Sequence, residues 1–343
     1  MAASTPAALA ALITADIAQW REVVRTAQIV VNCALKTGNE SMRVLVVGAG
    51  AIGGYFGARL LQQGRDVTFL VRPKRAGLLA ERGLVVKSPV GDANIAAPPT
   101  VTADKLGGGY DLILLSCKAY DLDSAMADIA PAVGPGTAIL PMLNGMRHLG
   151  LLDARFGAGA VLGGMCGIGS TLGDAGEVIH LAPYAEMKFG ERDGTLSPRV
   201  AAFAAECTSA GFDFTPSTRI MQDMWEKWVL LASIAGSTSL MRAPLGSING
   251  APGGAEFLAA IMAECASVAT AAGHPPSEAH LKRLETTLQA KGSRATASMF
   301  RDILRGAPVE AEHVIGDMIA RATGPVPLLR TVFTHLMAYS AER

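Results

Sequence analysis

Short apolar runs broken by glycine fill the front of the chain, and helical periodicity fills the back. Val44–Val47 is an apolar run of strand length; Gly48-Ala49-Gly50-Ala51-Ile52-Gly53-Gly54 follows it, and then an amphipathic helical pattern over Tyr55–Gln63. The order is strand, glycine turn, helix. Asp66–Val71 reads as a second strand after Gly64 closes that helix. Leu112–Ser116 and Ala138–Leu140 read as further buried strands, with a helix over Leu122–Ala130 between them. From Val161 the segments around Gly163–Gly167, Glu177–His180 and Glu186–Gly190 read as edge strands that extend the same sheet in mixed orientation, completed by a helix over Arg199–Ala210.

After Phe214-Thr215-Pro216-Ser217 the period changes. Helices are expected over Ile220–Ala235, Glu256–Ala271, Ala279–Leu288, Val309–Ala322 and Leu328–Ala338, separated by breakers such as Gly253-Gly254 and His274-Pro275-Pro276. The fold class is therefore α/β: an N-terminal Rossmann-type sheet domain, residues 42–214, and a second, all-helical C-terminal domain, residues 215–343. The helical domain packs on the open edge of the first and closes a cleft. Residues 1–41 form an extension with a loose helical pattern over Thr14–Leu35, without the layout of a signal or transit peptide. The abrupt strand signal after Met42 predicts that translation begins there; the competing expectation is a helix that packs on the domain or on a partner subunit.

Composition narrows the function classes. Half of the 343 residues are hydrophobic and 17% charged, with 30 basic against 30 acidic, which fits a soluble globular chain of two ordinary domains. No run of 18 apolar residues is expected to escape glycine and charge, so no membrane span is expected. The longest basic cluster, Arg72 to Arg75, is too brief for a nucleic-acid partner. Five scattered cysteines, Cys33, Cys117, Cys166, Cys207 and Cys265, form no CxxC pair, and the six histidines show no ligand spacing; no metal is expected, and the compartment is reducing and cytoplasmic. No GxSxG elbow, P-loop or HExxH segment occurs. The partner is a small molecule.

The glycine motif carries the first chemistry. Gly48 permits the tight turn, Gly50 lets backbone approach a pyrophosphate, and Gly53 allows the helix to pack closely on the strand, while exposed N–H groups of Ala49, Ala51 and Ile52 lie at the anion-binding helix start. At the end of the second strand, where an NAD site usually carries an acid, stands Arg72, followed by Lys74 and Arg75; cations there favour the 2′-phosphate of NADP. Lys118 and Asn144 lie just past the C-terminal ends of buried strands, where open sheets place ligands, although Asn144-Gly145 is equally a turn signal. His180 has no local catalytic constellation and reads as structural or solvent-facing. In the helical half, Lys227 stands amid an apolar face of its helix, and Ser298-Met299-Phe300-Arg301-Asp302 is followed by Glu310 at a helix start, where an acid also suits the macrodipole.

Together, the glycine motif, Cys117-Lys118-Ala119, Asn144-Gly145, Trp225-x-Lys227 and Ser298-Met299-x-x-Asp302 with Glu310 resemble the ketopantoate reductase family, from Met42 to about Ala338. The resemblance implies NADPH-dependent reduction of ketopantoate to pantoate in the coenzyme A pathway, and often a homodimer. It implies Lys227 as the catalytic lysine near the substrate carbonyl, Glu310 as an active-site glutamate near the substrate hydroxyl and cofactor, Ser298 as a substrate carboxylate contact, and Asn144 near nicotinamide and substrate. Arg72 and Lys118 match the basic residues that favour the 2′-phosphate. The chain departs from the family pattern at Leu231 and Ala235, where substrate-binding asparagines are common, and at Asp121, often glutamine. Two apolar replacements remove hydrogen bonds to a hydroxylated substrate, so another 2-oxo acid with a bulkier or less polar tail is the alternative, and an NADP-binding sensor without turnover the second.

Overall fold

The computed structural model describes residues 41–343; residues 1–40 of the extension, with its helical pattern, lie outside the described residues. The chain runs β1 (Val44–Val47), α1 (Gly53–Gln62), β2 (Val67–Leu70), α2 (Pro73–Arg82), β3 (Leu84–Lys87), β4 (Ala93–Ile95), β5 (Thr100–Val101), β6 (Leu112–Leu115), α3 (Leu122–Ile129), β7 (Ala138–Pro141), α4 (Arg147–Phe156), β8 (Gly163–Leu172), β9 (Val178–Gly190), α5 (Pro198–Cys207) and β10 (Asp213–Pro216). Helices follow: α6 (Ile220–Met241), α7 (Leu245–Gly250), α8 (Gly254–Ala271), α9 (Glu278–Leu288), α10 (Ser298–Leu304), a π-helical turn (Glu312–Gly316), α11 (Asp317–Ala320) and α12 (Pro327–Ala341).

One sheet has the order β5-β2-β1-β6-β7, with every pairing parallel. Its central strands are apolar throughout because both faces are covered. Val44, Val46, Leu112 and Leu114 point into a core shared with Phe56 of α1. Leu45, Val47, Ile113 and Leu115 point the other way, into a core shared with α3, α4 and the helical half, including Trp225, Trp228 and Val229 of α6. The strand pleat thus ties the helical half to the sheet, and α6 cannot turn without opening that core.

The segments after Val161 correct one expectation. They do not extend the first sheet; they form a second, mixed sheet of order β10-β9-β3-β4, with β8 antiparallel to β9. An isolated parallel bridge joins Ile139 of β7 to Val161, just before β8. The strands β3 and β4, absent from the sequence reading, supply the partner that β9 needs. Helix α6 extends past the expected end at Ala235 to Met241, where Arg242 adopts a left-handed φ of 53°. The polar run there does not break it, because Ser237 and Thr238 donate their hydroxyls to the carbonyls of Ser233 and Ile234 one turn back. Helix α8, with 18 residues of mean hydropathy 1.3, is long and apolar enough by length and composition to cross a membrane, and Gly254, Glu256 and Glu264 interrupt its apolar run. It packs Leu258, Ile261, Cys265 and Val268 into the common core, and Glu264 on it accepts hydrogen bonds from the N–H groups of Leu328 and Leu329 at 2.9 Å, capping α12.

Candidate active site

The glycine loop lies between β1 and α1. Gly48 has φ +91° and its N–H donates to the Leu70 carbonyl at 2.9 Å. A Cβ on Gly53 would collide with the Gly48 carbonyl, the Ser116 hydroxyl and Val46, whereas nothing stands within 4 Å of one on Gly50. The two glycines therefore divide the labour: Gly53 brings helix onto strand, and Gly50 keeps the loop surface open. Three carbonyls of the stretch are held from outside. Arg75 donates to the Ala49 carbonyl through Nε at 3.1 Å and Nη2 at 2.7 Å, Ser116 donates to Val47 at 2.8 Å, and Ser170 donates to Ala51 at 3.1 Å. These bonds engage the loop carbonyls, and a helix start presents N–H groups that have no intrahelical partner. The first turn of α1 contains no acid. The loop fits a dinucleotide pyrophosphate.

The basic cluster after β2 is less uniform than its sequence suggests. Arg75, whose pKa burial lowers, is spent on the loop backbone and on the Gly176 carbonyl at 2.8 Å. Arg72 occupies the position before α2 and stands exposed, its Nη2 bonded to Oδ1 of Asp121 at 2.6 Å. That hydrogen bond and the charge of Asp121 raise its pKa.

Beyond the C-terminal ends of β6 and β7 lie two polar clusters. In the first, Glu310 accepts from the Ala119 N–H at 2.9 Å through Oε1 and sits 3.6 Å from the Lys118 ammonium through Oε2. Asp302 of α10 is 3.3 Å from the same ammonium. Burial works against the charge of Lys118, but Glu310 and Asp302 outweigh it and the pKa rises. Glu310 is thus engaged with the sheet domain rather than with its own helix end. In the second cluster, Lys227 Nζ donates to Asn144 Oδ1 at 3.2 Å. Lys227 is held there because its neighbours Trp225 and Trp228 are buried and Trp228 Nε1 donates to the Val314 carbonyl at 2.9 Å. Asn144 is fixed from the other side: Gly145, φ +79°, abuts the carbonyl of His313. The turn from Glu310 to Val314, closed by Val314 N–H to Glu310 at 3.0 Å, therefore touches both clusters. A π-helical turn at such a junction is a frequent mark of a functional site.

Of the residues singled out from sequence, Lys118 and Glu310 meet, and Lys227 and Asn144 meet. Ser298 opens α10, exposed, with no hydrogen bond from its hydroxyl among the described residues. Leu231 lines a small recess with Lys227, Leu143, Met165, Met224 and Trp228, while Ala235 is a core position. Sequence reasoning missed Asp302 as a partner of Lys118, Arg75 and Ser170 as braces of the glycine loop, and the buried His148; only Asp302, inside a quoted motif, had a signal. His180 is structural and buried: Nδ1 lies 2.9 Å from the Ser88 hydroxyl and Nε2 3.0 Å from the Tyr184 carbonyl. Burial pushes the thiols of Cys117, Cys207 and Cys265 up to about 12, which disfavours the thiolate form of each.

Comparison with known proteins adds the family. Residues 44–194 match the model "Ketopantoate reductase PanE/ApbA", and residues 219–340 match the C-terminal model of the same name. The chain belongs to the ketopantoate reductase family. Over 305 residues it is 35% identical to an uncharacterised oxidoreductase of Bacillus subtilis, covering 88% of this chain and all of that one. Among solved structures, 2-dehydropantoate 2-reductase of Geobacter metallireducens superposes with a TM-score of 0.79 at 28% identity, covering 87% of this chain and 99% of that one. D-mandelate dehydrogenase, solved with NADH and anilino(oxo)acetate, shares the fold with a TM-score of 0.78 at 19% identity, covering 88% of this chain and 99% of that one. Both halves of this ketopantoate reductase family member, the glycine-loop sheet and the helical half with Lys227, fall within the matched segments.

Proposed function

We propose that the chain reduces the ketone of a small 2-oxo acid with NADPH, with ketopantoate as the leading substrate and pantoate as its product. The observation that carries this is the Lys227–Asn144 pair past the end of β7, in a chain whose glycine loop is open at Gly50. Gly48, Gly50, Gly53 and the N–H groups of Ala49, Ala51 and Ile52 would hold the pyrophosphate, and Arg72 lies where the ribose phosphate would be read. When bound, the dinucleotide supplies the hydride that turns the carbonyl carbon into an alcohol carbon.

The chain's own residues do the rest. Negative charge grows on the carbonyl oxygen as reduction proceeds, and an ammonium beside that oxygen stabilises the transition state more than the neutral ketone. Lys227 is that ammonium and gives its proton to the oxygen. Its hydrogen bond to Asn144 fixes where the proton stands, and the tryptophan packing of α6 limits its freedom. Glu310 joins the helical half to the loop at Ala119 and so sets the width of the cleft. Ser298, exposed at the start of α10, is the residue assigned to the substrate carboxylate.

A second reading is favoured by one observation. Leu231 stands in the recess beside Lys227, among Leu143, Met165 and Met224, so an apolar tail meets a better match there than a hydroxyl does. The test is NADPH oxidation with ketopantoate beside branched, aromatic and short 2-oxo acids, with Lys227→Ala as control. Lysine-dependent turnover, reduced by a factor on the order of 100 or more in the alanine protein, supports the reductase. The preferred acid decides between the two substrates. NADPH binding without turnover on any acid refutes the reductase in favour of a nucleotide sensor.

A further inference from the structure

In the first sheet β2 and β6 flank β1 on opposite sides, so the residues leaving their C-terminal ends face each other across the glycine loop. Arg72 leaves β2 and Asp121 follows β6, and their side chains close over that gap at 2.6 Å. The pair is open to solvent, with Arg72 67% exposed and Asp121 33% exposed, so it is not a core feature. Asp121 also opens α3 without using its side chain as a cap. Among the described residues, the carboxylate is bonded to Arg72 alone.

Two chemistries for reading an adenosine ribose therefore coexist at one place. An acid accepts the 2′-hydroxyl of NAD, and an arginine takes the 2′-phosphate of NADP. Here the two groups come from different strands and are already bonded to each other. A 2′-phosphate carries a charge of about −1.5 to −2 at neutral pH. It reaches a guanidinium that Asp121 has neutralised, and it meets a carboxylate of its own sign. Lys118 cannot relieve this, since Asp302 and Glu310 hold its ammonium. A 2′-hydroxyl brings no charge and can donate to the same carboxylate.

We infer that Asp121 is a specificity-determining residue that weakens the preference for NADPH and admits NADH to the same cleft. The inference rests on the reading of the cleft as a nicotinamide dinucleotide site. Like charges at ion-pair separations near a protein surface are worth roughly tenfold or more in affinity after screening by solvent and salt. This repulsion falls on the 2′-phosphate of NADPH, which NADH lacks.

The experiment compares dissociation constants of NADPH and NADH for the full chain and for Asp121→Asn, by nucleotide fluorescence. Asparagine keeps the shape and the helix-start preference of aspartate and removes only the charge. The ratio of the NADH to the NADPH constant is expected to rise at least tenfold in the variant, through tighter NADPH. The pair 5′-AMP and 2′,5′-ADP, which differ in the same phosphate without the nicotinamide, is expected to show the same rise. A smaller rise, or one missing from the fragments, overturns the role of Asp121. Failure of the unsubstituted chain to bind either dinucleotide overturns the cofactor reading itself, and the inference with it.

Discussion

Replacing Gly145 by alanine tests whether the glycine after Asn144 is a turn or a support of the site. Gly145 has φ +79°, where an L-residue pays about 1 kcal/mol or more. Its added Cβ would also run into the His313 carbonyl oxygen and lie 3.3 Å from its carbon and 3.8 Å from Trp228 Nε1. That carbonyl belongs to the π-helical turn, which Trp228 anchors through Val314, so it cannot swing aside as a flexible side chain would. Overpacking against such a wall costs about 1–3 kcal/mol. The sum is a loss of about 2–4 kcal/mol, read as a lower midpoint in urea unfolding at unchanged slope. Asn144 moves with its neighbour and Lys227 loses its fixed acceptor, so kcat is expected to fall roughly tenfold to a hundredfold. Gly150→Ala, on α4 with nothing within 4 Å of its Cβ, is the control and is expected to be neutral or slightly stabilising. A Gly145→Ala protein within about 0.5 kcal/mol of the parent and with unchanged kcat would refute the reasoning, because the contact with His313 would then hold nothing in place.

Further outcomes follow from the same geometry. Gly50→Ala is expected to leave thermal stability unchanged and to weaken dinucleotide binding at least about tenfold, whereas Gly53→Ala is expected to cost about 2 kcal/mol or more of stability, since its Cβ meets Gly48, Ser116 and Val46; equal stability of the two proteins would contradict the division of roles. His148 is fully buried with both ring nitrogens unpartnered among the described residues, and burial pushes its pKa down to about 3. Its folded pKa lies below the ordinary 6.5, so the unfolded chain binds the extra proton: stability is complete above that value and falls by about 1.4 kcal/mol per pH unit on acidification toward 3. Unfolding midpoints against pH for His148→Leu are expected to show a shallower acid slope, and an unaltered slope would be evidence against the assignment.

Much of the sheet domain was legible because its signals are local. The order Val44–Val47, glycine turn, helix reports itself within a few residues, since strand length, positive φ and close helix approach each restrict residue type at the position concerned. Lys227 and Glu310 were singled out in a different way, by motif order and resemblance, not by any spacing that shows what they touch. The second sheet was not legible: β9 pairs with β3 and β10, distant in sequence, and a strand's neighbour leaves no local trace in its own pattern. The end of α6 was misjudged because buried hydroxyls look like a break until their partners one turn back are seen.

The sequence by itself determined the class of the molecule: a parallel sheet with a glycine loop, then helices, with a lysine set in an apolar helix face. Those follow from periodicity and backbone restriction, which act over one or two turns of chain. Only the tertiary structure decided which charges are free to act. Arg72, Lys74 and Arg75 are one basic cluster in the chain, yet Arg75 is bound to the Ala49 carbonyl and Arg72 is neutralised by Asp121. Lys118 is likewise shared between Asp302 and Glu310, from the far half of the molecule. Coulomb interactions and hydrogen bonds depend on distances in space, and those distances are set by two cores on opposite faces of one sheet, which no local stretch of sequence encodes.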